Sequence, residues 1–155
     1  MKQYSVWYMP YNKKYLITHP WVWFKCAWRN IQDAWRRSVY GWTYGDVWDW
    51  NTWFLRTTPH MLRHMAQHGS AYPGIEPYET PEKWHNWLNQ IADLLESADE
   101  AWQDEHNEYY SYWNSSNKEN KTKYYTRSRE LEKQGAKNLQ KALEMIQESF
   151  WHLWD

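Results

Sequence analysis

The sequence predicts an all-α fold: a compact bundle of four to five helices, preceded by a short irregular or extended N-terminal arm. Three observations lead there. Apolar residues recur at three- and four-residue steps through several long stretches, helix-start signals stand before two of those stretches, and the connections between them are short, which favours antiparallel neighbours. At 155 residues the chain is expected to form one domain with a real core.

Residues 1–19 mix Tyr, Trp and Val with Pro10-Tyr11-Asn12-Lys13-Lys14 and read as the arm. Thr18-His19-Pro20 then starts a helix, because proline is tolerated in a first turn, where its missing N–H would have no partner. Trp21, Phe24, Trp28, Ile31, Trp35 and Val39 are expected to form the buried face of that helix, and Gly41 to end it. Lys25, Arg29, Arg36 and Tyr40 lie on another side. They read either as a solvated stripe, with pairs linking Asp33 to Arg29 and Arg37, or as a wall facing an anion.

Gly41 to Trp50 is a glycine-hinged corner holding Trp42, Trp48, Trp50, Asp46 and Asp49. Its indoles can pin two helices together or wall a pocket for something flat; packing takes precedence, since large aromatics are more often packed than presented. Asp49 or Asn51 is placed to cap a second helix carrying Trp50, Phe54, Met61, Leu62 and Met65. Pro59 removes a backbone hydrogen bond there and predicts a bend near Thr57-Thr58.

His68-Gly69-Ser70-Ala71-Tyr72-Pro73-Gly74, with Pro77 following, is a loop. Thr80-Pro81-Glu82 is the clearest boundary: a hydroxyl cap, proline in the first turn and an acid where the helix dipole favours one. The helix it opens carries Trp84, Trp87, Leu88, Ile91, Leu94, Leu95, Ala98 and Trp102, with a pattern extending to Tyr109 or Trp113. Residues 114–122 form a polar connection, and the last helix is expected to begin between Thr122 and Glu130. Leu139, Leu143, Ile146, Phe150 and Leu153 form its stripe, and Gly135 weakens its first half by about 1 kcal/mol relative to Ala, making a break there an expectation.

Composition narrows the function classes. Fifteen Trp and 13 Tyr in a chain of net charge −1, with a mean hydropathy of −1.08, concentrate the apolar mass in side chains that also carry a polar handle. Near-neutral charge gives no overall pull toward nucleic acid or membrane, so a nucleic-acid partner is disfavoured. The charge is nevertheless split. Pro20 to His68 holds six Lys or Arg against three Asp, while Pro81 to Glu108 holds eight acids and only Lys83. The single Cys26 precludes an internal disulfide and suits a reducing compartment, and the first residues carry no secretory signal pattern. No window approaches a membrane span, and a cytoplasmic protein is expected.

Candidate chemistry is sparse. His60 and His64 stand one helical turn apart with His68 in line, but residue 61 is Met where a catalytic zinc helix needs Glu, and no further ligands complete a set; no metal and no cofactor is expected. Cys26 among bulky aromatics reads as an inert buried thiol. The acids of residues 93–108 read as solvated surface or as partners for the basic helices. Neither a phosphate loop nor a nucleophile elbow is present, so the chain is read as non-catalytic.

An ordered set of landmarks runs through the chain: His19-Pro20-Trp21, the aromatic and basic alternation to Arg37, Gly41-Trp42 with Asp46-Val47-Trp48, Pro59 before Met61-Leu62, His68-Gly69, Tyr72-Pro73, Pro81-Glu82 with Trp84, and the closing Phe150 to Asp155. Together they resemble an uncharacterised family of small helical proteins encoded by tailed bacteriophages. The resemblance covers most of the chain from His19 onward and implies a phage product in the bacterial cytoplasm during infection, with no activity or catalytic residue to transfer. The chain departs from the family at Tyr44-Gly45, which replaces the small acid usual in that turn.

Two functions follow as expectations. One is capture of a small anionic, nucleotide-like molecule such as a host defence signal, without turnover. Arg29, Arg36, Arg37, Arg56 and Arg63 would hold phosphates, Trp42, Trp48 and Tyr72 would stack a base, and His60 and His64 would stand nearby. That reading requires one concavity lined by at least two of those arginines and an indole. The alternative is a protein-interaction module that inhibits or redirects a host or phage enzyme, since exposed Trp, Tyr and Arg are the usual hot-spot chemistry. A homo-oligomer is also expected, from the apolar seam ending in Trp151, Leu153 and Trp154.

Overall fold

A computed structural model of the chain describes residues 13–103 and 106–153. The fold is all-α, with no strand among the described residues. Six helices follow in order: α1 (Lys13–Thr18), α2 (Pro20–Tyr40), α3 (Tyr44–Trp48), α4 (Trp50–His68), α5 (Pro81–Ala101) and α6 (Lys118–Ser149). Short 3-10 turns occupy Tyr110–Tyr112 and Phe150–His152. Most of the expected N-terminal arm, residues 1–12, lies outside the described residues, and its remainder is helical as α1. The chain divides into two compact units, Met1–Trp53 and Phe54–Asp155.

The second unit is built on α5. Thr80 caps it by accepting the Lys83 N–H, with Pro81 in the first turn. Its apolar stripe is then sealed: Leu88, Ile91, Ala92, Leu95 and Ala98 are fully buried. Leu55, Leu62 and Ala66 of α4 and Ala142 and Met145 of α6 complete that core, and Tyr78 meets the Trp84 and Trp87 rings edge-on beside it. Burying one such aliphatic side chain is worth about 1.5–3 kcal/mol, so α5 is the chief source of stability here. α5 ends at Ala101, short of Tyr109. Buried Asn107 instead fixes the following turn: its amide donates to the Tyr124 carbonyl and the Ser128 hydroxyl, while its oxygen accepts the Tyr109 N–H.

Three expectations about this unit are corrected. α6 begins at Lys118, capped by the Asn117 side chain on the Glu119 N–H, so half of the expected polar connection is helix. Its most buried line is Ala142, Met145 and Ser149, one position before the expected stripe; Leu139, Ile146 and Leu153 of that stripe pack half-buried against the core, while Leu143 and Phe150 are exposed. Gly135 does not break the helix. A Cβ at Gly135 would stand 2.8 Å from the Ala101 Cβ and 3.3 Å from the Ala98 carbonyl oxygen, so the missing side chain lets α5 and α6 touch at closest approach. Pro59 lies inside α4, buried on the line Leu55, Pro59, Leu62 and Ala66.

Gly135→Ala is therefore expected to destabilise the protein. Overpacking costs about 1–3 kcal/mol against a helix-propensity gain of about 1 kcal/mol. Equilibrium urea unfolding reads the sign directly.

Candidate functional site

In the first unit, local chemistry sets the rotation of α2. Gly41, in the left-handed conformation at φ 78°, closes the helix by donating its N–H to the Arg37 carbonyl. Thr43 then caps α3 in a reciprocal box. Its hydroxyl accepts the Asp46 N–H, and its own N–H and hydroxyl donate to Asp46 Oδ2 at 2.7 and 2.9 Å. Thr43 and Asp46 thus supply the whole cap of this turn. The same carboxylate receives the Arg37 fork, Nη2 to Oδ1 at 2.6 Å and Nε to Oδ2 at 3.2 Å, while being almost wholly buried.

This grip carries a geometric consequence for the aromatic stripe. Arg37 shares its side of α2 with Cys26 and Asn30, both buried, and with Val22 and Ala34, half-buried. Trp28 is nine residues from Arg37, about 180° around a helix. The expected buried face is accordingly the exposed one: Trp21 is 77%, Trp28 63% and Trp35 68% exposed, with Phe24, Ile31 and Val39 also more than half exposed. A second correction concerns the corner. Thr43 and Asp46 form its buried centre, whereas Trp48 is 91% exposed and Trp42 about half exposed. The physical reason is the same: the corner is held by a carboxylate and its hydrogen bonds, with no need of an indole.

Arg36 follows the other side of the corner. Its guanidinium lies 4.5 Å above the Tyr44 ring, and Trp42 meets Tyr44 edge-on. Arg36, Tyr40, Trp42 and Tyr44 line an open cavity of about 380 Å³. Lys25 and Arg29 continue the basic edge along α2, and among the described residues neither makes an ion pair.

The remaining sequence candidates are engaged within the second unit or stand apart. Arg56 donates to Asp99 at 3.1 Å. Arg63 forks onto Glu96 at 2.6 Å and Asp93 at 2.7 Å, and the Glu96 hydrogen bond is the main cause holding its pKa above the ordinary arginine value. These acids of α5 therefore serve as partners for a basic helix. His60 and His64 are exposed on α4, with the His64 and His68 rings 4.6 Å apart, and Tyr72 is half exposed in the loop. Among the described residues no three His, Cys, Asp or Glu gather as a metal site, and no helix is long and apolar enough to cross a membrane. Trp151 is exposed on its 3-10 turn, while Trp154 lies outside the described residues.

Of the five arginines, the corner cavity holds Arg36 alone, with the indole of Trp42. The two-arginine requirement for anion capture is not met there. What sequence reasoning missed is the presentation of α2: the signal was available in the Arg37 to Trp28 spacing, given that Arg37 needed Asp46. No known protein family, curated protein or solved structure matches the chain.

Asp46→Ala removes the cap of α3 and the carboxylate that receives the Arg37 fork. It is expected to cost about 2 kcal/mol and to lower helicity by circular dichroism, while Arg36→Gln, at the open cavity, leaves both unchanged.

Proposed function

We propose that this chain is a non-catalytic protein-interaction module that docks the aromatic face of α2 on another protein and thereby inhibits or redirects it. One observation carries the reading. Trp21, Phe24, Trp28, Ile31 and Trp35 form a continuous apolar line on one helix, every member more than half exposed, where an ordinary amphipathic helix would turn that line inward. Monomeric proteins rarely leave contiguous apolar patches of more than a few hundred Å² uncovered, and larger ones mark interaction sites. Trp and Arg are the residues that dominate interface energetics, and here Arg29 and Arg36 border the line. Helix-in-groove recognition uses anchors at this three-and-four spacing. The resemblance to phage-encoded proteins points to a host or phage enzyme as the partner, in the bacterial cytoplasm.

A second reading is favoured by the corner cavity. Arg36 with Tyr40, Trp42 and Tyr44 suits a small ligand with one flat ring and one anionic group, bound and held without turnover. It ranks below the first because Arg37, Arg56 and Arg63 are committed to carboxylates of the chain itself.

Photo-crosslinking from a benzophenone amino acid placed at Trp28 tests the leading reading in the cells where the chain acts. The expected result is an adduct with one heterologous protein that disappears when Trp35→Glu is added, while Trp28→Ala weakens the isolated complex by about 2 kcal/mol or more. No heterologous adduct, together with release of a nucleotide-like molecule from heated protein, would move the function to the corner.

A further inference from the structure

We infer that the resting occupant of the α2 face is a second copy of this chain, so that a heterologous partner has to compete with self-association. The inference rests on α2 being an interface and names what covers it when no other protein does.

Area supports this occupant. An aromatic side chain offers about 150–250 Å². With Trp21, Phe24, Trp28 and Trp35 each exposed by roughly two thirds, and Ile31 and Val39 added, the face presents on the order of 700 Å² per copy. A stable interface of standard size takes about 800 Å² from each partner. Two such faces cover each other almost completely, whereas one face left in water would be an aggregation liability.

Register supports it as well. Trp21, Phe24, Trp28, Ile31 and Trp35 alternate steps of three and four, the a and d spacing by which helices pair along a seam. Positions flanking that seam decide whether like meets like comfortably. They are Pro20, Lys25, Ala27, Gln32, Ala34 and Val39, with Lys25 the single charge among the six. Small Ala27 on one edge leaves room for the longer Gln32 and Val39 edge of a second copy. Arg29 and Arg36 lie further round the helix, at the rim, where charges remain hydrated. The C-terminal seam expected from the sequence makes a poorer candidate: among its described residues the largely exposed ones are Trp151 and Phe150, both on one short 3-10 turn.

Sedimentation velocity of the purified full-length chain, over a concentration series and without any added protein, tests the inference. The expected result is a monomer–dimer equilibrium in the micromolar range or tighter. Trp28→Glu with Trp35→Glu should weaken it at least tenfold at unchanged helicity, whereas Trp28→Phe with Trp35→Phe should keep it and Trp151→Glu should leave it unaltered. A chain that stays monomeric throughout overturns self-association and leaves partner docking untouched, since that is read by crosslinking in cells. A dimer that survives the double glutamate variant, or dissolves with Trp151→Glu, overturns the assignment of the surface.

Discussion

The Arg37–Asp46 fork decides how the first unit is turned. Asp46 is saturated: it caps α3 through Thr43, accepts two guanidinium hydrogen bonds, and is shielded from water. A buried carboxylate without these partners would be costly, so the side of α2 that carries Arg37 must face the corner. Small Cys26 and Ala34 and polar Asn30 go with it, because they share that side. Trp21, Trp28 and Trp35, half a turn away, are left outside. Presentation of an aromatic face is thus a consequence of where one ion pair sits.

The second unit obeys a different rule. Its stability comes from α5, whose Leu88, Ile91, Leu95 and Ala98 are fully enclosed while Trp102, expected on the same stripe, lies past the helix end and is 64% exposed, and from the closeness that Gly135 permits between α5 and α6. Arg56 and Arg63 meet the α5 acids, so the positive charge of α4 and the negative charge of α5 cancel locally. These pairs are partly exposed, and each contributes little to stability. Their larger effect is subtractive: they remove two arginines from any list of anion-binding groups and leave Lys25, Arg29 and Arg36 as the basic residues beside the exposed aromatics.

Much of this fold could be read from the residues. Thr80-Pro81, Gly41 and the apolar periodicity of α5 are local signals, and the helices start, stop and bury where those signals say. Burial on α2 could not be read the same way, since periodicity identifies a face but not its direction. A stripe of Trp, Phe and Ile looks identical whether its partner is the rest of the chain or a second molecule. Gly135 was ambiguous for a related reason. Glycine weakens an isolated helix, but it is required where another helix comes within 3 Å of its missing Cβ, a tertiary fact. Among the site candidates, the arginines are legible as charged groups in a basic stretch, whereas the carboxylate partners that engage Arg37, Arg56 and Arg63, 9, 43 and 33 residues away in sequence, are not.

Everything proposed for function depends on which side of α2 faces water. Covalent labelling with mass-spectrometric readout, on chain dilute enough to be monomeric, measures that directly. Trp21, Trp28 and Trp35 are expected to react with an oxidative tryptophan probe while Trp84 and the Cys26 thiol are protected. Protected Trp28 and Trp35 together with a reactive Cys26 in the monomer would contradict it.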